Sequence, residues 1–140
     1  MTIVVDASMA AAWLLPDEFS EASDRILRLL QATDGLVPSI FRHEVRHILL
    51  IAERRKRVMP AKVDELLGRL AALPVRDGGH SDDHDVIALA RTGGLTAYDA
   101  AYVALALSTG SSLATLDRVM TAAARTHSLA ILGPYATPSP

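Results

Sequence analysis

Asp6, Glu44, Asp99 and Asp117 are the residues of this chain best placed to do chemistry, because each interrupts or borders an apolar stretch. Asp6 closes the β-branched run at residues 2–5, and Asp117 follows a second short apolar run. In an open α/β sheet, ligands bind in the crevice beyond the carboxyl ends of the strands, so topology directs both acids to that edge. Glu44 has Phe41 three residues before it and Ile48 four after it, which turns it from open water toward the rim of the sheet. Asp99 opens a helix with almost no polar face, where a carboxylate is costly unless something cationic offsets it. A bound metal would do so, and hard oxygen donors of this kind suit Mg2+ or Mn2+. Each acid taken singly has a plain structural reading. Asp6 and Asp117 can cap helices, Thr96 and Asp99 have capping-box spacing, and Glu44 can sit on a helix flank beside a Lys or Arg. Their convergence on one edge favours a metal site.

Positioning those acids requires short strands that feed helices. Residues 2–5 read as a strand and residues 7–15 as a helix stopped by Pro16. A second helix is expected over residues 19–32, with Ala22, Ile26, Leu29 and Leu30 on its apolar face and Asp34-Gly35 ending it. Leu36-Val37 makes a very short strand. Phe41, Val45, Ile48, Leu49 and Ala52 then recur at helical spacing over residues 40–57, and this helix closes in the cationic run Arg54-Arg55-Lys56-Arg57. A helix over residues 61–73 leads to a minimal strand near Val75, and a polar loop over residues 76–81 precedes a helix over residues 82–91 that Gly93-Gly94 breaks. Thr96 caps a helix running to Ser108, and Ala100, Ala101, Val103, Ala104, Leu105 and Leu107 make it apolar on nearly every side, so it is a central element. Residues 111–115 read as a strand, 117–127 as a helix and 129–132 as the last strand. Short strands alternating with helices call for an α/β fold with a parallel sheet covered on both faces. One domain is expected over residues 1–132, followed by a loosely held Pro-rich tail over residues 133–140.

The composition sets outer bounds. At 140 residues and 50% hydrophobic side chains, the chain can bury one core and is too short for two ordinary domains. Its 14 basic and 16 acidic residues nearly cancel, so any case for a nucleic-acid partner must come from local patches. The absence of cysteine excludes disulfides and thiolate metal sites and leaves His, Asp and Glu as ligands. With no basic segment ahead of an apolar one at the N-terminus, and no apolar run near the ~18 residues that span a bilayer, a cytoplasmic protein is expected.

The blocks that hold the four acids resemble a known family. Ile3-Val4-Val5-Asp6-Ala7-Ser8, residues 38–44, the run TAYDAAYVALA over residues 96–106 and LATLD over residues 113–117 are similar to the four signature blocks of PIN domains. They most resemble the VapC toxins of bacterial toxin-antitoxin pairs. The likeness covers residues 3–132 in order and spacing, and TAYDAAY is the distinctive block. It implies a three-layer α/β/α sandwich with a central parallel five-stranded sheet. It also implies an acidic pocket of Asp6, Glu44, Asp99 and Asp117, supported by the hydroxyls of Ser8 and Thr115. A ribonuclease activity, a small antitoxin covering the pocket and a homodimer are implied as well. One departure stands out: family members commonly carry Asn three residues after the helix glutamate, and here that position is His47.

Phosphodiester hydrolysis needs a water deprotonated near neutral pH, relief of transition-state charge and stabilisation of the departing oxygen, all of which Mg2+ or Mn2+ can supply. On this reading Asp6 and Asp99 are direct ligands, Asp117 binds the same or a second ion, and Glu44 orients or deprotonates the water. Without metal, the clustered anions should raise one another's pKa values. Arg54 to Arg57 could meet RNA phosphates, although cations at a helix C-terminus are explained by the macrodipole.

Other signals point elsewhere. His43-Glu44-Val45-Arg46-His47 matches the helical zinc pattern H-E-x-x-H, which would make a zinc metallopeptidase. That reading lacks a third ligand and leaves Asp6, Asp99 and Asp117 unexplained. His80, Asp82, Asp83, His84 and Asp85 could form a second metal cluster or simply favour a helix N-terminus. Trp13 and Leu14 could line an exposed docking groove or pack in the core. The competing class is a PIN-like module that grips RNA or a protein without cutting.

Overall fold

In the computed structural model, residues 1–136 are described, and five strands alternate with seven α-helices along them. The strands are β1 (Thr2–Val5), β2 (Asp34–Val37), β3 (Val75–Asp77), β4 (Ser112–Ala114) and β5 (Ile131–Leu132). The helices are α1 (Ala7–Leu14), α2 (Glu21–Leu29), α3 (Phe41–Arg54), α4 (Pro60–Ala71), α5 (Asp83–Gly93), α6 (Ala97–Thr109) and α7 (Arg118–Thr126). All strand pairs are parallel and the sheet order is β3-β2-β1-β4-β5. The chain first winds outward from β1 to β3, then returns across β1 to β4 and winds the other way. Right-handed crossovers therefore put α1 to α4 on one face and α5 to α7 on the other, which is a three-layer α/β/α sandwich. The reversal falls between β1 and β4, the place at the carboxyl end of an open α/β sheet where ligands bind.

The middle of the sheet is dry. Ile3, Val4 and Val5 of β1 and Leu113 and Ala114 of β4 are fully buried, as expected for strands covered on both faces. α6 lies on β1 and β4 and buries Ala100, Tyr102, Val103, Ala104, Leu105 and Ala106, so it is the central helix that its all-round apolar sequence requires. α1 packs against α2, α3 and α4 and buries seven of its eight residues. Trp13 and Leu14 belong to that packing and line no exposed groove; the Trp13 indole N–H donates to the Ser23 carbonyl at 2.7 Å, which satisfies its polar end inside the core.

Element ends differ from the sequence reading where side chains compete for the backbone. α2 begins at Glu21 because Ser20 and Ser23 form a reciprocal cap, and a 3-10 turn (Pro16–Glu18) fills the gap after Pro16. α3 stops at Arg54, and Lys56 takes a positive φ of 59°, so the basic run lies at and beyond the helix end. Within that run Arg57 already grips Asp17, with Nε and Nη2 both at 2.9 Å from its carboxylate. α5 continues through Gly93, and Gly94 ends it in the left-handed conformation. Asp82 caps α5 by accepting from the backbone N–H groups of His84 and Asp85, so the acids there serve a helix start. Among the described residues, no helix is long and apolar enough to cross a membrane.

Of the Pro-rich segment expected to be loosely held, residues 133–136 are described and residues 137–140 lie outside the described part. The described part is anchored. Arg118 stacks 4.5 Å above the Tyr135 ring, Arg125 donates to the Tyr135 carbonyl, and Gly133 approaches the Thr115 carbonyl so closely that a Cβ would stand 2.2 Å from it.

Candidate active site

Asp6 is the residue directly after β1, and its backbone N–H continues the ladder by donating to the Ala114 carbonyl of β4 at 3.2 Å. The side chain is only 2% exposed and is wrapped in donors. Ser8 Oγ lies 2.7 Å from Oδ1 and 2.9 Å from Oδ2, the Met9 N–H reaches Oδ1 at 3.0 Å, and Thr115 Oγ1 donates to Oδ2 at 2.6 Å. Ser8 has one proton to give, so three donations meet a carboxylate with about four lone-pair sites, and one direction stays open. Burial pushes the Asp6 carboxyl up to about 6, opposed by the Thr115, Ser8 and Met9 hydrogen bonds and helped by the charge of Asp99.

Ser8 and Thr115 tie the site to both central strands. Ser8 Oγ also accepts from the Leu116 N–H at 3.1 Å, and Thr115 Oγ1 accepts from the Asp117 N–H at 3.0 Å. Asp117 caps α7 through Oδ1, which accepts from the Met120 N–H at 2.9 Å. The capping readings of Asp6 and Asp117 are therefore correct, and each cap occupies only part of its carboxylate.

Asp99, in the first turn of α6, is the hub of the group. Its carboxyl is held above the ordinary range first by burial and then by the charge of Asp117, with Thr96 opposing. Its own charge acts in turn on Asp6 and Glu44. Thr96 caps the helix by accepting from the Asp99 backbone N–H at 3.1 Å.

Glu44 comes from α3, across the sheet from α6, and is half-buried at the rim. The Tyr102 hydroxyl donates to Glu44 Oε1 at 2.7 Å, bridging 58 residues of sequence. Burial raises the Glu44 carboxyl; the Tyr102 hydrogen bond lowers it, Asp99 raises it and His43 lowers it. Tyr102, fully buried, is itself pushed far above the ordinary phenol range by burial and by these carboxylates, so it remains a donor.

Tyr102 is the site residue that sequence reasoning missed. Two signals could have found it: it lies three residues after Asp99 on the same helix, and a buried tyrosine hydroxyl needs a partner. His47, by contrast, is exposed and takes no part in holding Glu44.

Four carboxylates from four elements thus meet at the β1/β4 crevice, and among the described residues none of them forms an ion pair with Lys or Arg. They are grouped without being closed on a point: among the described residues, no three His, Asp or Glu side chains are arranged to hold a metal ion as they stand. A hydrated hard cation needs only one or two direct carboxylates and keeps several waters.

Known proteins share the sequence pattern and the fold. Residues 3–126 match the model of the PIN domain. A relative from Pyrobaculum aerophilum named Ribonuclease VapC3 is 38% identical over 122 residues, covering 84% of this chain and 91% of the relative. Among solved structures, PAE2754 from Pyrobaculum aerophilum superimposes with a TM-score of 0.70 at 23% identity, covering 91% of this chain and 86% of that one. FitAcB from Neisseria gonorrhoeae gives 0.63 at 21% identity, covering 96% and 99%. These structural likenesses show the fold.

Proposed function

The chain belongs to the PIN-domain family, and from that premise we propose that it is a metal-dependent endoribonuclease acting as the toxin of a toxin-antitoxin module. One observation carries the reading: four carboxylates gathered at the sheet's switch point, none paired with Lys or Arg among the described residues, and three held above their ordinary range. Structural acids are paired or solvated; acids left mutually repelling in a crevice call for a counter-charge from outside.

Asp6 and Asp99 would ligate Mg2+ or Mn2+ directly, and Asp117 would bind the same or a second ion. When bound, the ion supplies charge relief on the scissile phosphate and a water acidified toward neutral pH. The chain's own residues do the rest. Ser8, Thr115 and the Met9 N–H fix the Asp6 carboxylate in one orientation and leave it a lone pair to spare. Tyr102 fixes one oxygen of Glu44, and the other is free to orient or accept a proton from the attacking water. Glu44, raised by burial, is thereby brought closer to the pH at which a base must work.

The relative named Ribonuclease VapC3 supports RNA as the substrate, and the resemblance to VapC toxins implies a small antitoxin as the partner and a homodimer as the assembly. The test is cleavage of a structured RNA by the purified chain in Mg2+, Mn2+, Zn2+ or EDTA, beside Asp6→Ala. The expected result is cleavage in Mg2+ or Mn2+ that EDTA and the substitution both abolish. No cleavage under any metal would favour the non-cutting RNA- or protein-binding module instead.

A further inference from the structure

The H-E-x-x-H segment remains unused by this account, since its glutamate serves the carboxylate group and its histidines do not. His43 and His47 are both exposed on α3, and among the described residues neither imidazole has a hydrogen-bond partner. Four residues apart on a helix, they stand on one face with Cβ atoms about 5–6 Å apart, the spacing that lets two imidazoles share one ion. Two neighbouring surface cavities adjoin the pair. One of about 330 Å3 is lined by Ile40, His43, Glu44, His47, Ile48 and Tyr98, and the next, of about 270 Å3, by His43, Arg46, His47 and Leu50. Both histidines border both spaces, so the pair flanks room for an ion and its waters. Arg46 borders the second of these, and its Nε is turned back onto the Arg42 carbonyl at 3.2 Å.

We propose that His43 and His47 form a second metal site, selective for a borderline transition-metal dication of the Zn2+ class and distinct in chemistry from the carboxylate group. Imidazole nitrogens suit Zn2+, Ni2+ and Cu2+, whereas the carboxylates and waters at the crevice suit Mg2+ and Mn2+, so ligand type divides the ions between the sites. Two protein ligands leave open positions for water, and Glu44 lines the same cavity. An ion on the histidine pair therefore sits beside the residue that faces the attacking water. That last consequence rests on the nuclease reading; the binding site does not.

The experiment titrates the full chain with ZnCl2 by calorimetry, alongside Asp6→Asn/Asp99→Asn, His43→Ala/His47→Ala and His84→Ala variants, with and without excess Mg2+. Expected is saturable uptake of Zn2+ that the carboxylate variant, the His84 variant and excess Mg2+ leave unchanged. The double histidine variant should weaken it by about tenfold or more. Zinc uptake that survives loss of both histidines, that Mg2+ displaces, or that is absent from the parent chain overturns the site. In Mg2+-supported RNA cleavage, Zn2+ should lower turnover in the parent and not in the double histidine variant, each measured against its own zinc-free rate. Histidine-dependent binding without this inhibition would overturn only the coupling to Glu44, and no cleavage in Mg2+ alone would count against the nuclease and leave the binding result standing.

Discussion

The start of β2 and the ends of β1 and β4 treat their carboxylates in opposite ways. At the start of β2, Asp34 is clamped by Arg76 of β3, with Nη2 2.6 Å from Oδ2, and its carboxyl is held below the ordinary range. Asp17, gripped by Arg57 at the far end of α3, is lowered in the same way. Where β1 and β4 end, Asp6, Glu44 and Asp99 have no such partner among the described residues and are all raised. The same side-chain type is therefore satisfied internally where it serves the fold and left wanting a cation where strand ends converge. Hydroxyls and a phenol orient the second group without neutralising it, which is what a site for an external cation requires.

The sharpest way to break this contrast is Asp99→Asn, which removes the hub charge with almost no change of shape. Cleavage of a structured RNA in Mg2+ should fall by about 10²- to 10³-fold, while the circular dichroism spectrum and melting transition stay those of a folded chain. Retention of full metal-dependent turnover would remove Asp99 from the machinery.

Asp6→Asn sharpens the contrast on the stability side. The Asp6 carboxyl is raised from 3.8 to about 6 in the folded chain, so folding favours its protonated form. Its contribution is fully present below about pH 4 and is lost as pH rises through about 6, by roughly 3 kcal/mol as an upper figure. In EDTA, urea unfolding of Asp6→Asn should show a gain over the parent at pH 8 that shrinks toward pH 4. A stability difference that does not vary with pH would mean the buried carboxylate is not the strained group.

A smaller effect is expected from Tyr102→Phe, which keeps the buried ring and deletes the one donor to Glu44. Because that hydrogen bond lowers the Glu44 carboxyl, its loss raises it further, and the acid limb of the pH–rate profile should move to higher pH with a drop of about tenfold in kcat. A purely structural role would lower activity without moving the limb.

How legible this was from sequence follows the range of the interactions. Every strand and helix could be read from periodicity and breakers, because those signals are local. Ser8 and Thr115 were reached through the resemblance, and the structure has both donating to Asp6. Periodicity carries α3 to residue 57, three beyond its end at Arg54, since nothing in a run of basic side chains announces the positive φ at Lys56 or the pull of Asp17 on Arg57. Tyr102 was hidden for a different reason: its role exists only once α6 and α3, on opposite faces, meet at the rim. The cationic run was weighed as an RNA contact, yet Arg57 is spent on Asp17 and Glu18.

The mildest test lies at the other end of the sheet. Asp34→Asn and Arg76→Gln each dissolve a bidentate pair, but both side chains are largely exposed, at 42% and 61%, where solvent already screens them. Losing the pair should shift the melting temperature by no more than about 2 °C, shrinking further in high salt, and should leave RNA cleavage within about twofold of the parent. The two variants together should do no more than either alone, since one interaction is removed in each case. A large loss of activity from either would mean that charge at the amino end of the sheet is felt across β1 at the crevice, and the division between fold-serving and cation-seeking carboxylates would have to be redrawn.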